Sequence, residues 1–378
     1  MNYFDVDVVD VPLLSYDKAE GEPFSKLIAR VARELSEGGV KEEPLGGGRI
    51  YTLRSLFPGD FGALATLPEL EVLMSRLGRR SYATVLATPF LAGFLALRLK
   101  HYLKEVPIIY EDVDRFYDFF RNPLYKLVAK AIELWAIRNS DAVISASPHL
   151  YIEDVHVRRG KPTYFVPNGI EYARFRESAL RAKGRNRYAL VYVGAIEWWS
   201  GLDVAVNAVS LVAKEIPDVR LYIVGEYGTP FGIHLASLIK RLGLKDKVVF
   251  LGRRPYNFVE HFLPRCRIGL LTFPRSTVTE RAFPYKVLEY CAAGTPVVLT
   301  RVGVLATLIE KYGAGIVHDV EDIEGLASGI AELITDDLVW REVSENAVRL
   351  ASLFDVERLA RLEADIIRST YDIRHVLR

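Results

Sequence analysis

The 378-residue chain contains no glutamine, only two methionines and only two cysteines. Cys266 and Cys291 both lie among apolar neighbours, so a disulfide scaffold is excluded and buried free thiols are expected. The histidines show no metal-ligand spacing, and no essential metal is expected. Charge of one sign is not in excess: 49 Lys and Arg oppose 48 Asp and Glu, which leaves no basic field for nucleic acid. There is no low-complexity segment, no repeat of fixed period, no Gly-x-Ser-x-Gly elbow and no Walker loop. The N-terminus has neither a basic region nor an apolar signal core, so the cytoplasm is the expected compartment. Scarce Gln, Met and Cys beside abundant Glu, Lys and Arg is a composition like that of thermophile proteins.

A long apolar run is also missing. The most apolar window, Tyr82 to Leu97, falls short of the ~20 residues a membrane span needs. Pro89 and Gly93 divide it into a strand-like Tyr82–Thr88 and a helix-like Phe90–Leu103. Arg76, Arg79 and Arg80 precede it, and Arg98, Lys100 and Lys104 follow. The two readings are a buried strand–helix unit and a helix touching the inner face of a membrane.

What is present is alternation. Half the residues are hydrophobic, enough for large cores, and the length suits two domains at a prior of ~150 residues each. Strand-like segments at Val6–Val11, Arg49–Leu53, Ala83–Ala87, Pro107–Tyr110, Ala142–Ser145 and Thr163–Val166 are separated by helix-like ones at Phe24–Leu35, Leu67–Leu77, Phe90–Leu103 and Leu124–Asn139. Pro167-Asn168-Gly169 is a turn signal. Residues 172–187 are polar and basic without apolar period and are read as a linker. Strands Tyr188–Val193, Arg220–Val224, Val248–Leu251, Ile268–Phe273 and Pro296–Thr300 then alternate with helices Leu202–Glu215, His234–Leu242 and Phe258–Arg265. The fold class is therefore α/β, with two doubly wound parallel-sheet domains. They are expected at 1–171 and 188–353, followed by a C-terminal helical segment, 354–378.

Residues 280–298 are the most informative stretch. Pro284 suits a first helical position, Gly294 a left-handed stop, and Thr295–Leu299 a buried strand. Lys286 and Glu289 are three apart and share a face of the short helix between. An anion-attracting helix N-terminus, a cation and a carboxylate thus meet in one place. A nucleotide sugar needs positive partners for its diphosphate and a carboxylate for its ribose hydroxyls. The segment Pro-x-Lys-x-x-Glu-Tyr-x-Ala-x-Gly-x-Pro-Val-Val resembles the donor-site helix of GT-B glycosyltransferases of the family-4-like group. That resemblance implies an N-terminal acceptor domain, a C-terminal nucleotide-sugar domain and a last helix that returns to the first. It implies transfer of a sugar, hexosyl or glucuronosyl, from a UDP- or GDP-type donor to the hydroxyl of a glycan or glycolipid. The nucleotide sugar is then a co-substrate, and no cofactor is needed.

Three strand-to-glycine turns add to the resemblance. Gly194 ends Val191-Tyr192-Val193 and, lacking a side chain, admits a phosphate or sugar close to the backbone. Gly225 ends a second strand, and Gly252-Arg253-Arg254 follows a third. Arg253 and Arg254 are either phosphate contacts or solvated loop residues. Where the family carries an Arg and a Lys-Gly after the first glycine, this chain has Ala195 and Ser200-Gly201. The Gly-Ala-Ile…Trp pattern resembles the bacterial polysaccharide glucuronosyltransferase branch, in which Lys286 would carry more of the phosphate. Glu280 is nine positions before Glu289, one further than the family's paired glutamates, and Arg281 fills the intervening place. Glu280 is expected at the transferred sugar, with Arg281 the alternative for an acidic one.

Ile108–Tyr117 begins as a buried strand and ends in Glu111, Asp112 and Asp114. Mutual repulsion and burial should raise at least one pKa, which suits a general base on an acceptor hydroxyl. Asp114 is favoured, then Asp112, against a plain helix cap with acids in its first turn. Asp112-Val113-Asp114 is also the metal-binding Asp-x-Asp of GT-A enzymes, but the nucleotide signature here lies in the second half. Ser147 reads as a helix cap. The rival to a transferase is a non-catalytic GT-B-like subunit that binds a nucleotide sugar or a partner at a membrane; a third reading is a GT-B relative that isomerises or phosphorolyses sugars.

Overall fold

The computed structural model describes residues 8–10, 40–45, 48–53, 67–77, 82–88, 90–98, 100–103, 106–120 and 122–376. The helix expected at Phe24–Leu35 lies outside them, as do Arg79, Arg80, Pro89 and Lys104. The chain forms two compact units. One takes its residues from Met1–Glu111, Val128–Val143 and Ala364–Arg378, the other from Asp112–Leu127 and Ile144–Glu363.

Strands β1 (Val8–Asp10), β2 (Val40–Leu45) and β3 (Gly48–Leu53) form a small sheet in the order β1-β3-β2. β3 is parallel to β1 and antiparallel to β2. β2 escapes the sequence reading because Lys41, Glu42, Glu43 and Pro44 leave it no apolar alternation. A second sheet has the order β4 (Val85–Ala87), β5 (Ile108–Asp112), β6 (Ala142–Ser145) and β7 (Thr163–Phe165). The helix Phe90–Arg98 belongs to the interior: Leu91, Leu95 and Ala96 are buried. A Cβ on Gly93 would fall 2.5 Å from the Tyr110 ring. Its apolarity is core composition at these buried positions, as the strand–helix reading of that window expects.

The third sheet has six strands: β8 (Asn186–Val193), β9 (Arg220–Val224), β10 (Val248–Gly252), β11 (Cys266–Leu271), β12 (Val297–Thr300) and β13 (Gly315–His318). Their spatial order is β10-β9-β8-β11-β12-β13, and every pairing is parallel. The order therefore reverses between β8 and β11, the place where open α/β sheets receive ligands. Side-chain period two sorts the strands into two cores. Leu190, Tyr192, Leu221, Ile223, Ile268, Leu270 and Val298 enter one, while Ala189, Val191, Val224, Leu271, Val297 and Leu299 enter the other. Each fully buried aliphatic side chain contributes roughly 1.5–3 kcal/mol. Both cysteines are buried free thiols, and burial pushes each up to about 12.

The stretch read as a linker is a helix over Tyr172–Arg181, and β8 begins at Asn186. Phe175 is its one fully buried side chain. Polar contacts hold the rest: Arg174 donates to Glu260 at 2.7 Å, and Ser178 Oγ to the Glu260 carbonyl at 3.0 Å. A helix anchored by one aromatic and its polar side chains has no apolar period to read. Beyond Thr300, where the sequence marks no element before the helical segment at 354–378, the structure has helices Gly303–Tyr312, Ile323–Thr335 and Asp337–Ser352 around β13. The last helix is Val356–Val376.

Candidate functional site

Three glycines stand in file where β8, β9 and β10 end. The Gly194 amide donates to the Val224 carbonyl at 2.9 Å, and the Gly225 amide to the Gly252 carbonyl at 3.1 Å. Gly194 and Gly252 have φ of +145° and +71°, conformations that favour glycine. A Cβ on Gly225 would fall 2.1 Å from the Gly194 carbonyl oxygen. The turns nest backbone on backbone, and no side chain fits between them.

The second helix after β11 brings charge to this edge. It runs Tyr285–Ala292, with Pro284 at its N-cap and Gly294 at φ +66° just past its end. Two contacts of Tyr290 fix it in place. The Tyr290 hydroxyl accepts the Val193 amide at 2.7 Å, and its ring occupies the space where Gly269 of β11 has no side chain. The helix is thus held over the switch point by a residue that reads, in the sequence, as one more apolar position.

Lys286 and Glu289 project from that helix. The Lys286 ammonium lies 5.0 Å from the Tyr192 ring centroid, a cation–π contact. A Cβ on Gly194 would come 2.2 Å from its Nζ. The missing side chain at Gly194 is what admits the ammonium to the end of β8. Burial, opposed in part by the Glu289 charge, lowers the Lys286 pKa to about 8. Glu289 is only 3% exposed. Burial raises its pKa to about 7, against a hydrogen bond from Tyr256 and the Lys286 charge. The Tyr256 hydroxyl donates to Glu289 Oε1 at 2.7 Å, and Arg174 covers the Tyr256 ring at 5.0 Å. Nothing in the sequence marks Tyr256 as a partner of a residue 33 positions away.

The loop after Gly194 shows what replaces the family's basic residues. Ser200 is buried and donates to the Glu197 carbonyl at 2.6 Å, so it is spent locally. Gly201 has φ +61°, and a Cβ there would fall 1.6 Å from the Thr272 carbonyl oxygen. Trp198 and Trp199 meet edge to face at 5.5 Å, and Trp199 meets Phe119 at 5.7 Å. Arg253 and Arg254 are exposed on the loop after β10, with Arg254 over the Phe258 ring at 5.4 Å.

The two residues before Pro284 that were expected at the sugar are engaged elsewhere. Glu280 accepts the Gly303 amide at 3.0 Å and pairs with Arg275 at 2.6 Å, which ties the start of the next helix. Arg281 donates to Glu153 at 2.9 Å and also pairs with Asp118. Its charge is met by two carboxylates, with which an acidic sugar would have to compete.

Among the three acids near β5, environment separates the roles. Asp112 is fully buried and paired with Arg115, whose guanidinium also reaches Asp154 at 2.6 Å and Glu153 at 3.3 Å. Asp112 therefore anchors Arg115. Glu111 receives the Thr88 hydroxyl. Asp114 is partly buried in the turn that follows β5, and desolvation raises its pKa to about 6. Ser147 caps its helix as expected, accepting the Leu150 amide at 3.2 Å. Among the described residues, no three His, Cys, Asp or Glu side chains gather as a metal set.

Comparison with known proteins fits this geometry. The family model for glycosyl transferases group 1 matches residues 175–350. Glycogen synthase of Mycobacterium tuberculosis is 28% identical over 62% of this chain and 56% of its own length. N-acetyl-alpha-D-glucosaminyl L-malate synthase of Bacillus anthracis is 27% identical over 56% and 55%. The match to this chain thus spans just over half the length of these relatives. Among solved structures, sucrose-phosphate synthase of Thermosynechococcus elongatus superposes with a TM-score of 0.74 at 17% identity, covering 97% of this chain and 99% of the other. HepE of Anabaena, solved with UDP-glucose, gives 0.67 at 20% identity, covering 85% and 86%. The chain has the GT-B fold, and its segment 175–350 matches the model of the glycosyl transferases group 1 family.

Proposed function

We propose that the chain transfers a sugar, of hexosyl or glucuronosyl type, from a nucleoside diphosphate to the hydroxyl of a glycan or glycolipid, without an essential metal. The observation that carries this reading is the Lys286 ammonium beside the bare backbone of Gly194, with Glu289 three residues along the same helix. Lys286 and the amides near Gly194 meet the diphosphate, and Glu289 accepts the ribose hydroxyls. Arg253 and Arg254 stand by for the base or a phosphate. Asp114 takes the proton of the acceptor hydroxyl as its oxygen bonds to the sugar's anomeric carbon. The bond from that carbon to the diphosphate breaks, and the negative charge that develops there is met by Lys286, the kind of electrostatic stabilisation that usually dominates such catalysis. The UDP-glucose held by HepE supports a uridine donor. The division into an acceptor domain at 1–171 and a donor domain at 188–353 belongs to the same reading.

One observation favours a binding subunit instead: Ala195 and the buried Ser200 offer a phosphate no charge. A mass-spectrometric screen of UDP-, GDP- and ADP-sugars, with and without lipid acceptors, decides between them. The expected result is release of one nucleoside diphosphate. Lys286→Met should lower donor affinity by about 10- to 100-fold, the worth of a charge-assisted contact. Tight nucleotide binding with no release from any sugar would favour the subunit.

A further inference from the structure

Among the described residues, the Tyr256 hydroxyl is the one hydrogen-bond donor to the Glu289 carboxylate, at 2.7 Å. Tyr256 opens a short helix, Tyr256–Phe262, after the Gly252-Arg253-Arg254 turn. Its ring is held from two sides. Phe175 meets it edge-on at 5.6 Å, and the Arg174 guanidinium covers it at 5.0 Å, a cation–π contact. Glu260 at 2.7 Å and Glu171 at 2.8 Å hold Arg174 in turn, which keeps its planar head over the ring. Three helices thus converge on this one side chain: Tyr172–Arg181, Tyr256–Phe262 and Tyr285–Ala292. Core packing does not account for that bracing, because Tyr256 is 41% exposed. Much of the residue meets solvent, yet its hydroxyl turns to a buried carboxylate.

We propose that Tyr256 is a positioning residue for the nucleotide: it holds the Glu289 carboxylate in the orientation that receives the ribose hydroxyls. This role depends on Glu289 meeting the ribose, as the proposed function has it. A free glutamate side chain gives up rotamer freedom when a ligand fixes it, and a side chain set beforehand has already done so. Each carboxylate oxygen has two lone pairs. Oε1 can therefore keep the Tyr256 hydroxyl and still accept one ribose hydroxyl, with Oε2 for the other. Burial raises the Glu289 pKa to about 7, and the Tyr256 bond works against it by favouring the carboxylate. Burial, and then the bond to Glu289, raises the Tyr256 phenol, so it stays a donor throughout the working range. The other titratable groups facing Glu289 are Lys286, Tyr285 and Tyr290 on its own helix and Glu171 at the head of Tyr172–Arg181. Arg174 lies behind the Tyr256 ring.

Isothermal titration tests it. UDP, GDP and ADP are titrated into the wild type, and the tightest is carried through the variants beside its 2′,3′-dideoxy analogue. Tyr256→Phe keeps the ring and deletes only the hydroxyl. It should lower affinity for the ribonucleotide about tenfold, and for the dideoxy analogue less than about twofold. In a Glu289→Ala background the same change should cost less than about twofold, as when one residue acts through another. The acid limb of affinity against pH should move to higher pH in Tyr256→Phe, because the carboxylate has lost a bond to its charged form. Arg174→Gln unbraces the ring and leaves hydroxyl and carboxylate in place. It should act in the same direction and by less, so the comparison stands even if Tyr256→Phe folds poorly. Equal affinity of both variants and the wild type overturns the proposal. A loss that is the same for the dideoxy analogue, or that persists in Glu289→Ala, also overturns it and makes Tyr256 a scaffold contact. A wild type that binds none of the three nucleotides overturns the transfer reading, and this role with it.

Discussion

Glu289→Ala should lower kcat/KM for the donor by about 10²–10⁴-fold while the protein stays folded. Two ribose hydroxyls bonded to a buried carboxylate are worth roughly 1.5–3 kcal/mol each. The variant also strands the Tyr256 hydroxyl, which now donates to Glu289. Wild-type turnover by Glu289→Ala would end the site assignment. The pH dependence gives a second handle. Glu289 has its pKa raised to about 7 and Lys286 its pKa lowered to about 8, so both are charged together only in a narrow window near neutrality. Donor affinity should peak there and fall on either side, as isothermal titration across pH would show.

Stability should run the other way. Between the ordinary carboxylate value of 4.5 and about 7, the folded state holds the Glu289 proton more than the unfolded one does, so stability falls as pH rises. Between about 8 and the ordinary lysine value of 10.5, the unfolded chain holds the Lys286 proton more, so stability rises with pH. The buried pair is therefore most costly to the fold near neutrality, by on the order of 3 kcal/mol for Glu289. Glu289→Gln should raise the Tm at pH 7 while losing affinity; a lowered Tm would show that the carboxylate is a structural anchor.

Asp114→Asn should reduce kcat by about 10²–10⁴-fold, the usual worth of a general base, and leave the donor Kd within about twofold. In the wild type, kcat should fall as pH drops through the Asp114 pKa of about 6. Equal loss of donor affinity would place Asp114 on the donor side or in the scaffold. Asp112→Asn should behave differently. It removes a carboxylate from the buried Arg115 and should cost roughly 3–5 kcal/mol of stability, read as a lower Tm.

Much of this arrangement was legible along the chain. Helix Leu202–Glu215 and strand Arg220–Val224 have the bounds their periodicity implies. Lys286 and Glu289 were visible because a helix makes neighbours of residues three apart, and Pro284 and Gly294 bracket the helix. What the sequence conceals is partnership at a distance. Arg281 looked available to a ligand because Asp118 and Glu153, which occupy it, are 163 and 128 positions away. Asp112 and Asp114 look alike on paper and differ only because Arg115 folds back onto one of them. Leu124–Asn139 reads as a helix, but apolar residues on both of its sides do not announce which side meets the core: Ala129, Ala136 and Ile137 are buried, and Leu124 and Leu127 are exposed.

The chain's four tryptophans stand in different surroundings, and its fluorescence should separate accordingly. Trp198 and Trp199 are in the loop after Gly194, where a bound nucleotide would alter their emission. Trp135 is half exposed and meets Phe94 edge-on at 5.5 Å. Trp340 lies under the guanidinium groups of Arg185 and Arg267, 4.8 and 4.4 Å from its ring, and keeps its colour until the fold opens. Occupancy and integrity are thus written at separate wavelengths by residues the protein already carries.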